Sequence, residues 1–150
     1  MKTILFLFLI LLAAACNKPV EPKDPDWDKL FLIEAESFTL RFPTQDWKLV
    51  TLQGTDSYVG YFERGNDKIY FDHGWYNGEI NKNSNPKPLY YEETKIDGNK
   101  AVIAKQQEDN GVLLRVIIYY KDKRTSTSLS IVNPTNEQEI IRIFRTHRFK

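Results

Sequence analysis

The sequence predicts an α+β fold: a mostly antiparallel β-sheet of about six to eight strands with one C-terminal α-helix packed on one face. Three observations carry this expectation. Short runs rich in aromatic and β-branched residues alternate apolar with polar side chains. Asn/Asp/Gly turns separate several of those runs at hairpin spacing. A single amphipathic stretch with its own start signal closes the chain.

Taken in order, residues 30–33 (LFLI) are compatible with a short helix or a buried strand, because four apolar residues cannot decide between them. Phe38, Leu40 and Phe42 alternate with Thr39 and Arg41, so one face of that run is buried, and Pro43 ends it. Residues 47–52 form a second strand. Residues 58–63 and 68–72 flank Arg64, Gly65, Asn66 and Asp67, a hairpin signal. Residues 89–96 and 100–106 flank Asp97, Gly98 and Asn99, a tighter one. Asn110 and Gly111 then turn the chain into residues 112–121 (VLLRVIIYYK). Apart from Arg115 that run is apolar on both faces, which places it centrally in the sheet. Residues 125–132 follow, with Leu129 and Ile131 on one face and Ser126, Ser128 and Ser130 on a solvent-facing side.

The helix is signalled by Asn136 and Glu139, which have the N-cap and N3 spacing of a capping box. Glu137 and Glu139 sit at its positive dipole end, and Arg142, Arg145 and Arg148 toward its negative end. Ile140, Ile141 and Phe144 form the apolar stripe, extended by Ile143. This stripe is expected to cover the sheet face that needs a second layer.

The first sixteen residues, MKTILFLFLILLAAAC, carry an address. Lys2 supplies a positive n-region. Residues 4–12 are nine unbroken apolar residues, too short to span a bilayer. Ala13, Ala14 and Ala15 are the small residues that precede a signal-peptidase cut, and Cys16 is the single cysteine of the chain. The segment resembles the lipobox signal of bacterial lipoproteins, with Leu12 one place early and Ala13 where Leu is commonest. The resemblance implies cleavage before Cys16, a diacylglycerol thioether on its sulfur and an acylated new amine. Two or three chains anchor stably where one does not, at about 0.8 kcal/mol per buried CH₂. Residues 1–15 are thus expected to be a signal peptide, 16–28 a lipidated tether and 29–150 one globular domain. The tether (NKPVEPKDPDWD) spaces Pro19, Pro22 and Pro25 every third residue among charges, a pattern of extended backbone that cannot build a core. Asn17, next to the cysteine, favours the outer over the inner membrane.

Composition bounds the rest. Removing Lys2 leaves 20 basic residues (21 − 1) against 20 acidic ones, so no global charge argues for nucleic acid. Residues 101–150 hold nine basic and five acidic residues and residues 17–100 eleven and fifteen, a mild dipole of +4 against −4. An acylated Cys16 leaves no thiol for an intramolecular disulfide, so the core must hold the fold, and a monomer is expected.

The opening of the domain, Phe38 to Pro43 followed by Trp47, resembles the F-x-I-x-Y-P opening and following Trp of PsbP/DcrB-like domains. The closing Ile140 to Phe149 is similar to their final I-L-x-S-F-x-F helix. That resemblance implies an antiparallel sheet packed by helices, and envelope or membrane-associated adaptors rather than enzymes. It transfers no functional residue.

Among candidate site residues, Asp72, His73, Gly74, Trp75 and Tyr76 form the densest cluster. It ends a strand and opens the longest polar stretch, residues 77–88, and loops of that length often carry function. His73, Trp75 and Tyr76 are therefore candidates for contact with a ligand or partner. The competing reading has Trp75 and Tyr76 capping the core while the asparagines serve turns. His73 and His147 are the two histidines; with no Gly-x-Ser-x-Gly they make a hydrolytic triad a poor fit, and they are too few for a zinc site. Glu92 and Glu93 are adjacent on a strand, so they point to opposite faces. Arg142, Arg145 and Arg148 at i, i+3, i+6 could touch anionic lipid, though such a row is more often the wet side of a helix. Tyr90, Tyr91, Tyr119 and Tyr120 add aromatic area to strands.

The expectation is a lipid-anchored envelope protein without catalytic residues, cofactor or metal, binding a protein or envelope component as an adaptor or assembly factor. The alternative is capture of a small ligand or glycan. An enzyme is the third reading.

Overall fold

The computed structural model describes residues 29–121 and 124–150. The signal peptide and tether read over residues 1–28, Cys16 among them, lie outside the described residues. Among the described residues the chain forms ten strands and one helix, an α+β fold. In order these are β1 (Phe31–Glu34), β2 (Phe38–Phe42), β3 (Lys48–Leu52), β4 (Tyr58–Arg64), β5 (Asp67–Gly74), β6 (Tyr90–Ile96), β7 (Asn99–Glu108), β8 (Gly111–Tyr119), β9 (Ser126–Val132), α1 (Glu137–Arg145) and β10 (Arg148–Phe149).

Seven strands make one sheet in the order β3-β4-β5-β9-β8-β7-β6, and every neighbouring pair is antiparallel. The other three form a small sheet in the order β1-β2-β10. The seven strands of the main sheet fall within the six to eight expected, and the small sheet adds three more. The LFLI run is resolved as strand, over Phe31–Glu34, by pairing with β2, where Leu32 faces Arg41 and Ile33 faces Leu40. A two-residue strand such as β10 has no periodicity to read, and pairing with β2 alone creates it.

The turns follow their residues. Ile96 pairs with Asn99, leaving Asp97 and Gly98 as a two-residue loop with φ of 54° and 72°. Positive φ at both positions is the type I′ geometry that matches strand twist. Asn99 thus belongs to β7 rather than to the turn.

The core lies between the seven-stranded sheet and a layer that α1 and β2 build together. Phe38, Leu40 and Phe42 of β2 are fully buried, as are Ile140 and Phe144 of α1. They pack on Phe62, Ile69, Ile103, Leu114, Val116 and Leu129. The helix alone is too short to cover seven strands: nine residues at 1.5 Å each span about 13 Å. The small sheet supplies the rest. Asn136 caps the helix by accepting from the Glu139 amide at 3.2 Å. The Glu139 side chain turns to the Arg64 Nη2 at 2.6 Å instead of back to the cap.

The helix ends at Arg145, earlier than the sequence suggests. Thr146 accepts from the Arg41 amide at 2.8 Å and donates to the Ile143 carbonyl at 2.6 Å. The chain then leaves as β10, so Arg148 belongs to a strand. The arginine row breaks up accordingly. Arg145 pairs with Glu92 at 2.8 Å and Arg148 with Asp97 at 3.5 Å. Among the described residues no helix is long and apolar enough to cross a membrane.

Candidate functional site

The outer face of the seven-stranded sheet, away from α1, has two halves. Alternation puts Arg115, Ile117 and Tyr119 of β8, Val102 and Ala104 of β7, and Tyr91 and Glu93 of β6 on this face. Residues 75–88 fold back across it. Ile80 is the plug: it is 7% exposed and packs in a cluster with Val102, Ala104 and Ile117, flanked by Tyr91 and Tyr119.

Asn77 is the anchor of that segment. Its Nδ2 donates to the Ser126 carbonyl at 2.8 Å and to the Asp72 carbonyl at 3.1 Å. Arg115 grips the same point, donating from Nη2 to the Asn77 carbonyl at 2.5 Å and from Nε to Ser128 Oγ at 2.9 Å. Ser126 and Ser128 are therefore buried rather than solvent-facing, because the segment covers them. Strand alternation identified their face correctly but could not show that a loop lies on it.

Beyond Ile80, toward the β6–β7 turn, the segment and sheet enclose a cavity of about 650 Å³. That volume is in the range of small-molecule sites, about 300–1,000 Å³. Tyr91, Tyr119 and Tyr120 are its aromatic lining and Val102 and Ile80 its apolar one. Lys82, Lys100 and Lys121 bring ammonium groups, and Glu79 and Glu93 bring carboxylates. Tyr91 donates its hydroxyl to Glu93 at 3.1 Å. Lys100 Nζ stands 5.7 Å from the Tyr119 ring centroid, in cation–π range. Burial, with the Glu79 carboxylate, pushes the Tyr119 phenol upward against the opposing pull of Arg115. Tyr119 is thus a neutral hydroxyl at physiological pH, able to donate and accept.

The residues singled out from sequence go elsewhere. His73 sits on the core side of β5, half-buried, with Nδ1 2.9 Å from Thr127 Oγ1. Burial lowers its pKa, and the Asp72 carboxylate partly offsets this. Trp75 and Tyr76 are 66% and 84% exposed, so they do not cap the core. Neither they nor His73 line the cavity. His147 is fully buried and shares one aromatic cluster with His73, both rings packing near Phe38 and Phe149. Among the described residues no group of three or more His, Cys, Asp or Glu side chains could hold a metal ion.

Two further cavities flank the helix. One of about 240 Å³ lies between α1 and β2, lined by Arg41, Pro43 and Ile143 among others. One of about 550 Å³ lies where α1 meets β6 and β7. Charges bordering the latter already pair, Lys105 with Glu137 at 3.0 Å and Arg145 with Glu92. The outer-face cavity is the one whose lysines are uncommitted. Tyr119, Lys100 and Glu79 were not picked out from sequence as a site, because three separate segments bring them together. Tyr91 and Tyr119 were visible as strand aromatics, but which face they shared was not. No family model, no curated protein and no solved structure matches this chain, so its reading rests on its own geometry.

Proposed function

We propose that this chain is a lipid-anchored lipoprotein of the bacterial envelope that captures a small saccharide-type ligand in the outer-face cavity, binding it without chemical conversion. The single observation that supports this most is a concave site of about 650 Å³ lined by Tyr91, Tyr119 and Tyr120. A pyranose offers an apolar C–H face to an aromatic ring and hydroxyls to a polar rim, which here holds asparagine, lysine and glutamate side chains. The lipobox-like segment ending at Cys16 supports the anchor, and the Pro-rich tether supports a domain held up to about 35–40 Å off the membrane.

A second reading, a docking surface for an envelope protein, draws on the uncovered half of the same face. Val50, Tyr61 and Tyr70 stand directly opposite one another across β3, β4 and β5, and Leu52 and Val59 form the next row. Tyr70 is 50% and Leu52 47% exposed. Contiguous apolar surface of this kind marks interaction sites.

One experiment separates the two. The full-length chain is cross-linked in intact cells and recovered with what it holds, beside Tyr119→Ala, Tyr70→Lys and Cys16→Ser. Glycan recovered with the parent chain and lost in Tyr119→Ala supports capture. A protein retained by Tyr119→Ala and lost in Tyr70→Lys overturns capture in favour of docking.

A further inference from the structure

We infer that the ligand of the outer-face cavity is an acidic oligosaccharide, its anionic substituent held by converging lysine ammonium groups; this rests on the saccharide reading above. Six cations away from the cavity meet carboxylates: Arg64 with Glu139, Lys68 with Glu63, Lys105 with Glu137, Arg145 with Glu92, Arg148 with Asp97 and Lys150 with Glu34. Within the described chain, the lysines of the cavity meet none. Among the described residues, no ion pair or hydrogen bond engages the ammonium groups of Lys82, Lys95, Lys100 or Lys121.

The register makes the point sharper. Lys95 of β6 and Lys100 of β7 are directly opposite partners in the antiparallel ladder. Alternation puts both on the outer face, with Tyr91 and Glu93 four and two residues before Lys95, and Val102 two after Lys100. Like charges directly opposed across strands destabilise a sheet. Lys100 is in the cavity's wall, and Lys95 is its ladder partner. Lys82 comes from the folded-back segment and Lys121 from just past the end of β8, so three separate pieces of chain each contribute a lysine to one lining. Of the two carboxylates there, Glu93 already accepts from the Tyr91 hydroxyl. A bound anion relieves the lysine–lysine repulsion and breaks no existing ion pair. The aromatic wall beside these ammonium groups selects a ligand with a pyranose face next to its charge, over a bare ion.

The test uses the full-length chain in detergent micelles, titrated calorimetrically with four probes. These are an oligogalacturonate, its neutral methyl ester, a sulfated heparin-type oligosaccharide and inorganic phosphate. The expected result is that at least one acidic oligomer binds about tenfold or more tighter than the methyl ester. Because the ammonium groups are exposed, that gap should shrink as salt rises from about 0.05 to about 0.5 M. It should also close in the Lys95→Gln/Lys100→Gln double variant, whose fold is checked by near-ultraviolet circular dichroism. Carboxylated and sulfated probes report which acid the site prefers. Equal binding of the methyl ester and the acidic oligomers, both lost in Tyr119→Ala, overturns the charge inference and leaves saccharide capture standing. Phosphate competing fully, with Tyr119→Ala without effect, overturns both. No saccharide binding by the folded chain also overturns both.

Discussion

His147 lies against Phe38 with ring centroids 5.0 Å apart and planes 22° from parallel, and neither ring nitrogen has a hydrogen-bond partner. The imidazole is held as an aromatic plate, with the Phe149 ring meeting it edge-on at 4.5 Å between centroids. Burial, with the nearby His73 and Arg148 charges, lowers its pKa from 6.5 to about 3. An unfolded chain takes up a proton near pH 6.5 that the folded chain refuses until about pH 3. Stability from this site is therefore full above pH 6.5 and falls as pH drops toward 3, by about 1.4 kcal/mol per pH unit. His73, also lowered, acts in the same direction. Denaturant titrations over that range should show a shallower acid loss for His147→Phe than for the parent chain. Identical slopes would refute the assignment.

Asn77 is the point at which the folded-back segment is fastened to the sheet. Asn77→Ala removes the Nδ2 donor from the Ser126 and Asp72 carbonyls, while the Asn77 backbone carbonyl that Arg115 grips is kept, at a cost of about 1–3 kcal/mol. The loss should be local first. Hydrogen exchange is expected to quicken across residues 75–88 and at Ser126 and Ser128, while β2 and α1 keep their protection. Uniform loss of protection would show that the segment is integral to the core instead.

Gly60 sits on the core side of β4, opposite Phe71 of β5. A Cβ there would lie 2.3 Å from the Val50 carbonyl oxygen and 2.6 Å from Phe71 Cζ. Backbone cannot yield as a side chain can, so Gly60→Ala should destabilise by about 1–3 kcal/mol despite alanine's better strand propensity. Gly65→Ala is the contrast: open space surrounds it, but φ is +56°. Its cost is the left-handed backbone alone, about 1 kcal/mol. Thermal unfolding of the two variants ranks these effects, and a Gly65→Ala loss as large as that of Gly60→Ala would contradict the packing account.

Arg64 joins three elements through one guanidinium. It pairs with Glu139 of α1 at 2.6 Å and Asp67 of β5 at 3.4 Å, and lies 4.6 Å from the Trp47 ring centroid. Asp67 in turn accepts from the Thr135 amide at 2.9 Å, just ahead of the helix. Arg64→Ala leaves two partly buried carboxylates without their cation, a loss of about 1–3 kcal/mol. A double-mutant cycle with Glu139→Gln should show coupling, and strictly additive effects would show that the pair contributes nothing.

Much of the fold was legible in the sequence because it is local. The β2 alternation, the Asp97–Gly98 turn, the buried β8 run and the Asn136 cap each depend on residues a few positions apart. The cavity was not legible, since Lys82, Lys100 and Lys121 meet only when the loop folds back on the sheet. Alternation told that Ser128 and Arg115 share a face with Ile117, and nothing local told that Asn77 and Ile80 would cover it.

The sequence by itself determined the class of the fold, the order of its hairpins and the helix start, through side-chain periodicity and turn geometry acting within single segments. Tertiary structure alone decided that β10 pairs with β2, that two histidines 74 positions apart share one aromatic cluster, and that lysines from three segments line one aromatic hollow. The physical reason is that burial and charge proximity depend on which surfaces meet, and that is a property of the packed chain as a whole.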